Sequence, residues 1–238
     1  GGQNPGMLVF AKRHASPTLG ALVGEWELVE WMQRGTDSTD AQSAIADVMI
    51  TPAGVLSTSN YFYNHDGDIN PSMVMILGRE IRVESDGTVT LRHGGSLLSQ
   101  GGVSLSGDVI LLGGREGNGG RAMLRVLIRK GRLGGVGSLS GTWPAVAWTA
   151  VGPGHENGWG RTVFNGDASG TLAFGGNWDG AILDSVSLPL GYGVSIDSEV
   201  SFVVSGVNQW AGAGTSRIVV LGGGYAPDAR PQILFNIR

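Results

Sequence analysis

The stretch "LVGEWELVEW", Leu22 to Trp31, admits two readings, and the choice between them decides the fold. Ser16 as an N-cap, Pro17 at the first helical position and apolar residues at 19, 22, 23, 26 and 29 spell an amphipathic helix. The same residues also spell an extended strand entered through a short helical turn. A second stretch settles the choice. "LSGTWPAVAW", Leu139 to Trp148, repeats the pattern G-x-W-x-x-x-x-W at a displacement of 117 and places Pro144 in its middle. Proline in a helix interior removes a hydrogen bond and clashes with the preceding turn. We therefore read a strand over 25–32 and another in its counterpart.

The echo continues down the chain. "NHDG" (Asn64–Gly67) returns as "NWDG" (Asn177–Gly180) at 113, and Thr58 matches Thr171 at the same offset. Val83, Asp86 and Val89 match Val194, Asp197 and Val200 at 111. Leu112, Gly113, Gly114, Arg121, Ile128 and Arg129 find identical residues 109 further on. Matches in one order, at an offset falling steadily from 117 to 109, mark a duplicated unit with small loop deletions in the second copy. The expected organisation is an N-terminal strand within 1–13, a first domain over 14–131, a glycine-rich linker at 132–137 and a second domain over 138–238. "MLVFAKR" (7–13) resembles "LRVLIRK" (124–130), again 117 apart. It is either a closing strand of the first domain or the end of an upstream repeat.

Composition agrees with sheet. Gly supplies 42 of 238 residues, against a usual share of ~7%. No G-X-Y period accompanies it, and short Val, Ile, Leu and Thr runs alternate with turn dipeptides such as Asp66-Gly67, Asp86-Gly87 and Asn165-Gly166. In the first unit strands are expected near 25–32, 46–52, 55–63, 72–77, 80–84, 88–92, 108–112 and 122–129, with about eight in the second. Leu124, Val126 and Ile128 alternate with Arg125 and Arg129, and Ile233, Phe235 and Ile237 alternate with Gln232, Asn236 and Arg238. Period two with one apolar face predicts a half-buried antiparallel strand whose apolar face points inward. The fold class expected is all-β: two tandem antiparallel up-and-down β-barrels of about eight strands each, with glycine-rich turns.

Charge and motif content exclude several functions. The net charge of −4 shows no basic stripe, which argues against nucleic acid as a partner. The absence of cysteine removes disulfides, thiolate metal sites and a cysteine nucleophile. No apolar run approaches the ~18 residues of a transmembrane helix. Asp66, Asp68 and Asn70 have the spacing of a calcium loop, yet Pro71 and Leu77 stand where glycine and glutamate belong, so the segment reads as a hairpin tip. His14, His65, His93 and His155 show no zinc spacing. Neither metal nor cofactor is expected. Glu25, Glu27 and Glu30 could supply an acid at a barrel mouth, yet Thr142, Pro144 and Ala147 occupy the corresponding positions of the second copy, so a solvated strand face is the better reading. The binding candidate is the aromatic run Tyr61, Phe62, Tyr63 leading to His65, with Trp178 at the equivalent of His65, because aromatic residues near a barrel rim often contact ligands.

Taken together, "LVGEWELVEW", "LSGTWPAVAW", the "DGTVTL" hairpin and the endings "LIRK" and "NIR" resemble lipocalin-like (calycin) β-barrels, as in bacterial secreted lipocalin-like repeat proteins. The resemblance implies that Trp26 and Trp143 close the two barrel floors, with Arg129 and Arg238 laid across them. Such a stacked guanidinium contributes ~0.5–2 kcal/mol. Trp31 and Trp148, at odd spacing from the floor residues, would then cover the interface between the barrels. The function expected is non-catalytic binding of a small apolar molecule or surface glycan by a secreted or cell-surface protein. Two alternatives stand beside it: a structural or adhesive module that self-assembles through neighbouring repeats, and a cofactor-independent barrel cyclase or isomerase. An open apolar cavity of ~300–1,000 Å³ favours binding or catalysis, whereas a packed interior favours the structural module.

Overall fold

A computed structural model describes residues 17–33, 41–65, 68–71, 78–116, 121–151, 154–178, 181–206, 208–223 and 232–238, a few strand-end residues by their backbone alone. The first unit contains β1 (Gly24–Gln33), β2 (Ala41–Ile50), β3 (Val55–His65), β4 (Asp68–Pro71), β5 (Arg79–Val83), β6 (Val89–His93), β7 (Ser96–Val103), β8 (Val109–Glu116) and β9 (Arg121–Arg129). β4 and β5 both pair with β3, at its two ends. With β4 set aside, the pairing β1-β2-β3-β5-β6-β7-β8-β9 returns to β1, a closed antiparallel barrel of eight strands. The second unit runs β10 (Gly141–Val151), β11 (Gly154–Phe164), β12 (Ser169–Trp178), β13 (Ala181–Val194), β14 (Glu199–Val204), β15 (Asn208–Gly214), β16 (Ile218–Gly223) and β17 (Gln232–Ile237), and closes in the same way.

The strand reading of the opening stretch holds, with its short helical turn, and the longer helix does not form. Leu19–Leu22 is a single helical turn (α1) capped by the Thr18 side chain, and the chain is extended from Gly24 onward. The second copy repeats this with a 3-10 turn at Val136–Leu139 before β10. Two details differ from expectation. β2 begins at residue 41 rather than 46, and β7, "SLLSQGGV", is a strand that its Ser, Gln and Gly residues concealed. The strand expected at 72–77 and the N-terminal strand within 1–13 lie outside the described residues.

The inward face of the closing strands is the reverse of the one expected. Leu127 packs in the first barrel's core with Trp26, Leu28 and Leu112, and Arg125 and Arg129 share its side of β9. Leu124, Val126 and Ile128 point outward and are still buried, in a third cluster with Val29, Trp31, Ala213, Val220 and Ile233. In β17, likewise, Leu234 and Asn236 face the lumen, while Ile233 and Phe235 join the outer cluster. Period two fixes which residues share a face but not which face is covered. Here the outer face is covered too, by the other barrel.

The two barrels lie side by side and parallel. At the floor end, Gly131 N donates to Asp197 O at 3.1 Å, and Lys130 reaches Glu199 at the start of β14. Toward the mouth end, Trp31 and Trp148 meet edge to face with ring centroids 6.0 Å apart, and Ser43 Oγ donates to Gly223 O at 3.0 Å. Both floors therefore sit at one end and both mouths at the other. The close-packed interior explains part of the glycine content. Gly101 and its counterpart Gly212 lie against the carbonyls of Leu111 and Val220 on the neighbouring strand, where an added Cβ would overlap the oxygen.

Candidate functional site

The floors are built alike. Trp26 and Trp143 are fully buried, and each indole Nε1 donates at 2.8 Å to the carbonyl of the preceding turn, Leu22 or Leu139. The Arg129 guanidinium lies 4.3 Å from the Trp26 ring centroid and that of Arg238 lies 5.7 Å from Trp143. Arg129 also donates from Nη1 to Val23 O at 3.1 Å and from Nη2 to Ala21 O at 2.5 Å, tying β9 to α1. The glycine of G-x-W is needed here. Gly24 and Gly141 have φ of +129° and +123°, and a Cβ on Gly24 would lie 3.3 Å from Arg129 Nη1.

Higher in the first lumen the chemistry changes. Inward positions climb β1 as Trp26, Leu28, Glu30 and Met32, so the Glu30 carboxylate projects into the barrel and is 3% exposed. Arg125, directly opposite on β9 and 1% exposed, donates from Nε to Glu30 Oε2 at 2.6 Å and from Nη1 to Ser99 Oγ at 3.2 Å. The Tyr61 hydroxyl donates to Glu30 Oε1 at 3.4 Å and accepts from Gln42 Nε2 at 3.0 Å. Burial, reinforced by the Glu30 charge, holds the Tyr61 phenol far above its ordinary range, so it stays a neutral donor. Below this network the lumen is packed with the side chains of the first core, and a void between Leu28, Thr58, Arg79, Leu91 and Arg125 measures about 10 Å³. That is room for about one water molecule.

The second copy lacks the network. At the positions of Glu30, Arg125, Tyr61 and Ser99 stand Ala147, Leu234, Phe174 and Trp210, in a barrel closed by the same strand order. Its buried polar pair is uncharged and one layer nearer the floor: Thr162 Oγ1 donates to Asn236 Oδ1 at 2.5 Å, where the first copy has Val48 and Leu127.

Of the aromatic run, Tyr61 and Tyr63 share the lumen side of β3, with ring centroids 5.9 Å apart, and His65 follows on the same side at the strand's end. Phe62 points outward and is 36% exposed. Trp178 ends β12 at the place that His65 holds on β3, and its side chain lies outside the described residues. Sequence reading missed Glu30, Arg125, Ser99 and Gln42. The available signal was reciprocal: a glutamate and an arginine in one copy, both exchanged for apolar residues in the other.

The reading of Glu25, Glu27 and Glu30 as a solvated face needs correction, since Glu25 alone is exposed. Glu27 points outward from β1 into the crevice between the barrels, where it meets Asp47 of β2 and Glu199 of β14. These carboxylates could group around a cation, but the Lys130 ammonium already stands among them, paired with Asp47 and at 3.5 Å from Glu27 and 3.4 Å from Glu199. Burial pushes the Glu27 carboxyl up to about 9, against the pull of Lys130. Burial also raises Asp47, but hydrogen bonds from Lys130 and Asn60 outweigh it and leave that carboxyl below its ordinary value.

No protein-family model matches the chain, and neither does any curated protein. Among solved structures, the crystal structure of kievitone hydratase from Nectria haematococca aligns over 96% of this chain and 92% of its own, at 8% identity and a TM-score of 0.25. So loose a superposition carries no argument about this chain.

Proposed function

We propose that the first barrel binds a small, mainly apolar molecule carrying one polar group, and that the second barrel is its scaffold. One observation carries this reading: the Glu30–Arg125 pair, with Tyr61 and Ser99, is buried in one copy and replaced by apolar side chains in the other. A buried ion pair is worth no more to stability than a well-packed apolar replacement, which is often better by about 1–4 kcal/mol. The second barrel forms the same closed sheet without it, so stability does not account for its presence. The filled lower lumen directs the ligand to the mouth, where Gln42, Tyr61, Tyr63 and His65 stand. There the tyrosine rings offer apolar surface and the network offers donors and acceptors. The Trp–Arg floors support the finer proposal of a lipocalin-like barrel.

A second reading, a structural repeat module, is favoured by the void of about 10 Å³. Native mass spectrometry of the full chain from its source separates the two. Binding predicts a small-molecule adduct on the wild type and its loss in the variant E30A/Y61F/S99W/R125L, which copies the second lumen into the first. A bare wild type that takes up no apolar fluorescent probe would sink the binding reading. Conversion of the bound molecule would replace it with the barrel enzyme.

A further inference from the structure

We infer that the outer wall of the second barrel around Val146 and Trp159 is a contact surface for a second copy of this chain, meeting its own like about a two-fold axis. The repeat itself points to it. In the first barrel, Val29 and Ile45 are paired neighbours on the outer wall of β1 and β2, and both are covered by the second barrel. The register places Val146 and Trp159 at the equivalent positions of β10 and β11. These are 48% and 51% exposed, and Ile237, the equivalent of the fully buried Ile128, is 49% exposed.

The second copy thus keeps the apolar docking face of the first, with a tryptophan in place of an isoleucine, and none of the described residues covers it. Exposed apolar surface on adjacent strands is informative where a lone exposed residue is not, and tryptophan is the residue type most enriched at interface centres. The face is also continuous with an established interface. Val146 is the ladder neighbour of Phe235, and Trp148, two residues along β10, packs on Trp31 in the seam between the barrels. What covers the matching face in the first unit is a barrel of this same fold, so a barrel of this chain fits it. The centre carries no charge: among the described outward residues of β10 and β11, Arg161 alone is charged. A patch that meets its own like closes into a dimer, the commonest assembly of identical chains.

Sedimentation velocity of the full chain, over protein concentrations up to about 100 µM, tests this. The wild type should sediment as a dimer with a dissociation constant on the order of 10 µM or tighter. Trp159→Glu and Val146→Glu should each weaken association at least tenfold. Leu105→Glu, on an exposed turn of the first barrel, should leave it unchanged. Unaltered circular dichroism shows that the variants fold, which the exposure of both side chains leads one to expect. A wild type monomeric throughout, a dimer that survives both glutamates, or open-ended polymers would each overturn the inference.

Discussion

Glu30 and Arg125 face each other across β1 and β9 where both are buried, and the consequence of separating them differs from that of removing both. Arg125→Leu alone leaves a carboxylate buried without its partner, which should cost about 3–5 kcal/mol. The variant E30A/Y61F/S99W/R125L should be far milder, within about 1–2 kcal/mol of wild type, because the second lumen already packs that set. Denaturant unfolding of both proteins checks the contrast. Glu27 makes a pH prediction. Its carboxyl is raised from 4.5 to about 9 by burial, so the unfolded chain ionises first and the folded chain keeps the proton. Stability from this group is therefore full below pH 4.5 and is lost as pH rises toward about 9. Glu27→Gln should raise Tm at pH 8 and change it little at pH 5, with each kcal/mol regained worth about 2–4 °C. Thermal melts at the two pH values decide it.

At the scale of strands, the glycines make a sharp contrast. Gly101→Ala forces a methyl group onto the Leu111 carbonyl and should cost about 1–3 kcal/mol, whereas Gly102→Ala, whose methyl meets nothing within 4 Å, should cost less than about 1 kcal/mol. Urea midpoints of the two variants measure the difference. The same scale shows why the sequence spoke clearly about some things and not others. Strand periodicity and the falling repeat offset come from local chemistry, and they disclosed the repeat and the barrels, whereas the floors built on G-x-W were implied by the resemblance to lipocalin-like barrels. The direction in which β9 turns its faces depends on what lies beyond the strand. Because a second barrel covers Leu124, Val126 and Ile128, the more apolar face of β9 is its outer one. That inversion carried Arg125 into the lumen and hid the polar network. Had the parity been set by Trp26 and Arg129, which must meet at one floor, Glu30 and Arg125 would both have been seen to face inward.

For the whole molecule, the seam is the third core. Val29, Trp31, Val126, Val220 and Ile233 are buried there as thoroughly as residues inside either lumen, and Lys130 adds a cluster of charges at its floor end. Two barrels sharing such a seam should unfold together. Scanning calorimetry of the wild type should show one transition, and Val220→Asp, which buries a charge in the seam, should split it or lower it by the several degrees that ~2 kcal/mol or more implies. Two resolved transitions in the wild type would mean that the barrels are independent. The edge-to-face contact of Trp31 and Trp148 also has an optical consequence. Two indoles so close mix their ultraviolet excitations, so the far-ultraviolet dichroism should contain a couplet contributed by neither barrel alone. Its disappearance on heating or mutation would report the parting of the two units while each sheet is still intact.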